Sequence, residues 1–157
     1  MNDEQAPAEQ LPQKEDGIGD DRLALKPHTD WFLASLTSLA NKGLTFPVTL
    51  FVGGAAISGI LVGGKTYFDE FSRMMRRSFR DNEESADIMA SFVDQCGSFY
   101  GDAAEIAARP PEYVHLVEAR LFHPGADPVP KADGVLWRGK LASVDGFCWG
   151  TLVWERR

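Results

Sequence analysis

The stretch Pro47–Lys65, PVTLFVGGAAISGILVGGK, holds two apolar runs with one glycine pair between them and a second where the run stops. Val48, Leu50 and Val52 alternate with Thr49 and Phe51. Ile57, Gly59 and Leu61 alternate with Ser58, Ile60 and Val62. A period of two fits a pleated strand and not a helix, so the stretch predicts a β-hairpin. Gly53 and Gly54 supply the positive φ that a tight connection needs, while Ala55 leaves the turn type open. A lone hairpin is not stable in water, so the rest of the chain must cover its apolar face.

At 157 residues the chain is long enough for one sizeable core and short for two. Apolar residues make up 44 % of it, a globular composition, and no run reaches the roughly 18 apolar residues of a membrane helix. The first residues, MNDEQAPAEQ, carry acids where a signal peptide carries positive charge, and no apolar segment follows. A soluble, cytoplasmic protein with no membrane partner is expected. Most of the formal charge of −7 sits in the first 23 residues, where seven acids stand against Lys14 and Arg22. Residues 1–26 therefore read as a disordered acidic arm, and 27–157 as a single domain. The rest of the chain is nearly balanced, so its field offers little attraction to nucleic acid.

Ahead of the hairpin, Thr29 or Asp30 caps a helix through WFLASLTSLANK, with Phe32, Leu33, Leu36, Leu39 and Ala40 in one stripe and Gly43 just past its end. After the hairpin the period becomes helical twice, which predicts an inserted helical pair over about 66–109. Thr66 with Asp69 resembles a capping box for the first helix, and Asp81 with Glu84 for the second. The second helix shows an apolar stripe of Ile88, Met89, Phe92, Val93, Cys96, Phe99 and Tyr100, and AAEIAA adds a turn or two before Pro110 and Pro111. Arg73, Arg76, Arg77 and Arg80 form a basic patch on an acidic protein. It reads as a face neutralised by nearby acids, as a protein contact, or as a phosphate site.

The period then returns to two. Tyr113–Phe122 is a strand with Tyr113, His115, Val117, Ala119 and Leu121 on one face, and HPGADPVPKADG is a surface loop. Val135–Val144 and Phe147–Trp154 pair as a hairpin around Asp145–Gly146, which sets Trp137 opposite Trp149. The sum is an α+β fold: a small, strongly bent five-stranded antiparallel sheet or Sm-like barrel, with an N-terminal helix and the helical insertion.

The search for chemistry returns little. His28, His115 and His123 have no second metal-type ligand at short spacing; His115 reads as half-buried and structural, and His123 as near enough to Asp127 to pair with it. Cys96 and Cys148 read as buried free thiols. GILVGGKT, from Gly59 to Thr66, matches the phosphate-loop pattern, but its central residues read as strand, with amides committed to the sheet. No catalytic set, cofactor or metal is assigned.

Two blocks carry a likeness to a known family. Leu36–Phe68, LTSLANKGLTFPVTLFVGGAAISGILVGGKTYF, and Tyr113–Gly150, with YVHLVEARLFHPGADPVP and GVLWRGKLASVDGFCWG, resemble the gas-vesicle accessory protein of the U type. The resemblance implies a non-enzymatic accessory that contacts gas-vesicle shell or accessory proteins in clustering or organising them. It points to a surface of His123, Pro124 and Gly125 with Trp137, Arg138 and Gly139. The aromatic C-terminal strands add an expectation of self-association. The alternative is an Sm-like module that binds RNA through the arginine patch or assembles with itself.

Overall fold

The computed structural model describes residues 29–101 and 109–153. The acidic arm, His28, the AAEIAA run and Trp154 lie outside the described residues.

Helix α1 (Trp31–Asn41) is followed by strands β1 (Phe46–Val52) and β2 (Ala55–Val62), then by α2 (Gly64–Ser78) and α3 (Glu83–Ser98), and by β3 (Tyr113–Phe122), β4 (Val135–Lys140) and β5 (Gly146–Trp149). Asp30 caps α1, its carboxylate accepting from the Phe32 and Leu33 amides at 2.8 and 2.9 Å. Gly43 leaves the helix at φ +98. The β1–β2 turn is two residues long, and Gly53 and Gly54 both have positive φ, the type I′ signature that keeps the twist of the flanking strands.

All pairings are antiparallel, in the order β4-β3-β2-β1-β5. Val48 and Leu50 face Gly59 and Ile57, Leu61 faces Leu116, and these side chains form one core with Leu33, Leu36 and Ala40 of α1. The apolar alternation of the hairpin thus lies on the face that α1 covers.

The last two strands do not make the expected hairpin. β4 and β5 are opposite edges of the sheet, so Trp137 and Trp149 are not neighbours. Between them a short 3₁₀ turn, Leu141–Ser143, leads to Val144, and Leu141 and Val144 are buried in the core. Six residue steps from Lys140 to Gly146 span at most about 20 Å. A flat sheet would hold those edges at least ~19 Å apart, and the 3₁₀ turn shortens the reach further. The sheet must therefore curl. Asp145 is held at the far edge, where its amide donates to the Phe51 carbonyl and its carboxylate accepts from the Gly53 amide, both at 2.8 Å. The edges form no ladder with each other, so the sheet is strongly bent and open and not a closed Sm-like barrel.

A bulge corrects the reading of β3. The register against both β2 and β4 slips near Glu118, whose φ is +54. Ala119 and Leu121 thereby turn to the core side with Val114 and Leu116, and not to the side of His115. Gly59 lies against this bulge, where a Cβ would come within 2.9 Å of the Val117 carbonyl and 3.0 Å of the Ala119 Cα. Both obstacles are backbone in the middle of the sheet. Gly59→Ala is expected to destabilise the fold by about 1–3 kcal/mol, read as a lower urea midpoint; an unchanged midpoint would show that the bulge yields.

The helix starts also differ from expectation. α2 begins at Gly64, ahead of Thr66, and Asp69 pairs with Lys65 at 2.8 Å instead of closing a box. Asn82, not Asp81, caps α3, accepting from the Ser85 amide at 3.1 Å. In α3 the buried positions are Ala86, Ala90, Val93 and Gly97, so the helix meets α2 with its small residues.

Candidate interaction site

GILVGGKT is built as scaffold. Ile60 and Leu61 pair with Val117 and Leu116, and the Gly64 amide donates to Asn41 Oδ1 at 2.9 Å. A Cβ on Gly63 would stand 2.6 Å from the Ala40 carbonyl, and one on Gly64 would stand 2.3 Å from the Tyr100 ring. These glycines permit close packing of α1, α2 and Tyr100, and the residues between Gly59 and Gly63 belong to the sheet and form no phosphate loop.

Of the four patch arginines, Arg73 pairs with Glu70 at 2.9 Å and Arg76 with Asp87 of α3 at 2.6 Å. Arg80 reaches Asp81 only at 4.0 Å, with both side chains highly exposed. Arg77 is exposed. The face is thus partly neutralised by its own acids, and Arg76 joins the two helices. Such exposed pairs contribute little to stability individually.

The residues carried by the family likeness separate into two groups. His123, Pro124 and Gly125 lie in an exposed turn, closed by the Ala126 amide on the His123 carbonyl at 3.2 Å with Gly125 at φ +74. Proline second and a positive-φ glycine third is type II turn chemistry. Asp127 pairs with Lys131 and not with His123.

Trp137, Arg138 and Gly139 are on β4, and alternate residues serve opposite faces. Trp137 packs against the core, and a Cβ on Gly139 would stand 2.2 Å from its ring. Gly139 is therefore the space that the indole occupies.

Arg138 turns to the other face, over the Tyr113 ring at 3.4 Å from its centroid. Its Nε donates to Nε2 of His115, the residue directly opposite on β3, at 3.2 Å. His115 is fully buried, against the expectation of a half-buried residue. Tyr67 and Phe68 of α2 and Tyr100 surround it, with ring centroids 4.9, 6.1 and 5.4 Å away. Since Nε2 accepts, the proton of the neutral ring is on Nδ1, which has no hydrogen-bond partner. Burial, and then the positive charge of Arg138, lower the His115 pKa to about 3. Burial also pushes the Tyr67 phenol above its ordinary value, against the pull of Arg138. This aromatic cluster joins α2 to β3. Sequence reading missed it because its members are far apart in the chain and each looks like ordinary core.

Elsewhere on that face a groove of about 440 Å³ runs between β3 and the segment after β5, lined by Ser58, Ile60, Arg120, Phe122 and Leu152 among others. Its guanidinium is committed, since Arg120 donates twice to the Ala132 carbonyl. Cys96 is partly buried and Cys148 exposed on the edge strand; both are free, but neither is the buried thiol expected. Among the described residues there is no cluster of three or more His, Cys, Asp or Glu placed to hold a metal. No helix among them is long and apolar enough to cross a membrane.

The family model described as gas vesicle protein GvpU-like matches residues 30–152, from the cap of α1 to the segment after β5. The chain belongs to the GvpU-like gas vesicle protein family. No curated protein and no solved structure matches it. The matched range takes in the helical pair and both groups of residues above.

Proposed function

We propose that this protein is a non-enzymatic gas-vesicle accessory that acts through protein–protein contacts in clustering or organising the vesicles. The observation that carries the reading is the family match across the whole of the bent sheet, α1 and the helical pair. The packing of GILVGGKT supports it, because the one sequence pattern suggestive of nucleotide chemistry is spent on holding α1 to α2. Exposed residues suited to contact are Arg73 and Arg77 on α2, Arg80 in the turn just past its end, and the His123–Gly125 turn. Arg138 is exposed on β4 as well, with its Nε donating to His115, while Trp137 packs against the core beside Gly139. The open outer edge of β5, where Trp149 is exposed, favours self-association in the same reading.

Co-flotation with intact gas vesicles, beside a shell-free control, tests the proposal. The protein is expected to rise with the vesicles, and its removal to change their clustering. Folded protein left wholly below the vesicles, with clustering unaltered by its absence, would overturn the reading.

A further inference from the structure

α3 packs along α2 and not on the sheet. Its small side is turned inward, with Ala86, Ala90, Val93 and Gly97 buried, and Gly97 lets the Phe68 Cβ approach to 3.1 Å of where its own Cβ would be. Its large apolar residues are outward: Ile88 is 63 % exposed, Phe92 60 % and Phe99 79 %. Spacings of four and seven set these three in one stripe along the helix, with Met89 exposed beside it. A surface helix ordinarily buries such a stripe, and here the arrangement is inverted.

The charge around the stripe is of one sign. α3 contains Glu83, Glu84, Asp87 and Asp94 and no basic residue. Helical spacing places Glu83, Asp87 and Asp94 between the buried side and the stripe, with Glu84 next to Ile88. Arg76 takes Asp87, while Glu83, Glu84 and Asp94 have no ion pair among the described residues. An occupant must bring apolar side chains at one-turn spacing and positive charge on its flank. The acids disfavour an anionic lipid surface or a nucleic acid. A second copy fits poorly: two α3 stripes laid antiparallel set acid against acid, and Arg73 and Arg77 share a side of α2 that offers no apolar row, with Arg80 in the turn beyond its end.

We propose that the outer face of α3 is a docking surface for an amphipathic helix of a partner protein, apolar along one stripe and basic along its flank. The proposal names the partner class for the accessory reading, and rests on that reading only in taking the partner to be a protein.

Fluorescence anisotropy with two labelled synthetic helices, each about five turns long, tests it on the full chain. Both carry a leucine stripe; one has a lysine flank and the other a glutamate flank. The lysine peptide is expected to bind, and the glutamate peptide to bind at least about tenfold more weakly. Phe92→Ser and Ile88→Ser, both at exposed positions, are each expected to weaken the lysine peptide about tenfold with the circular dichroism spectrum unchanged. Failure of both peptides to bind overturns the proposal. Equal binding of the lysine peptide to wild type and both serine variants also overturns it, since charge alone would then account for retention. So does a sedimenting dimer that Phe92→Ser dissociates, which would make a second copy the occupant. Peptide binding without vesicle flotation would fail the accessory reading and spare this surface.

Discussion

Between pH 7 and pH 5 the wild-type protein is expected to lose about 2 kcal/mol more stability than a His115→Gln variant. In the unfolded chain His115 has its ordinary pKa of 6.5, whereas in the fold it stays neutral down to about 3. Across that interval the unfolded state binds one proton more than the native state, so stability falls as the pH falls, by about 1.4 kcal/mol per unit. The contribution levels off about one unit above the unfolded pKa of 6.5. The cause is geometric: protonation would put a second positive charge on a buried ring that already accepts from Arg138 and that Tyr67, Phe68 and Tyr100 surround. Gln at this position keeps an acceptor for Arg138 and cannot titrate. Other titrating groups are common to both proteins and cancel in the difference. Urea midpoints over a pH series measure it, and parallel profiles for the two proteins would refute the assignment.

The same cluster shows where sequence reading ends. The hairpin was legible because Val48, Leu50, Ile57 and Leu61 alternate on one buried face and two glycines close the turn, both local signals. The caps were legible only where the side chain meets its own helix, as at Asp30. Asp145–Gly146 misled because the same dipeptide that makes a tight turn here bonds to Phe51 and Gly53, residues more than ninety positions earlier. Length and curvature, not local propensity, decide that β5 closes on β1. The bulge was hidden because its positive-φ residue is Glu118, where a glycine would have announced it. In α3 the apolar residues that sequence spacing groups in one stripe divide between two sides: Val93 is buried against α2, while Ile88, Phe92 and Phe99 are exposed. The small residues Ala86, Ala90 and Gly97 allow closer packing on α2, and periodicity alone does not tell which side of a helix is turned inward. Trp137, Arg138 and Gly139, which the family likeness groups, serve two faces of one strand: Trp137 lies in the core beside Gly139, and Arg138 bonds to His115 on the other face.

Trp137→Ala is accordingly expected to cost about 3 kcal/mol of stability, at the lower end of buried-aromatic truncations because the indole is only partly covered. Gly139→Ala should destabilise as well, since its methyl would lie 2.2 Å from the Trp137 ring and displace it from the core. The two effects should not add. With the indole gone, the space beside Gly139 is open, so Gly139→Ala should cost much less in a Trp137→Ala background. Urea denaturation of the four proteins of this cycle measures the coupling. Additive effects would show that Gly139 does not make room for Trp137, and a neutral Trp137→Ala would return the indole to the list of surface contacts. The cycle also governs how vesicle retention is read. Weaker flotation of Trp137→Ala reports unfolding unless the fold is shown intact, whereas Arg77, exposed on α2 and without an ion pair among the described residues, separates contact from stability.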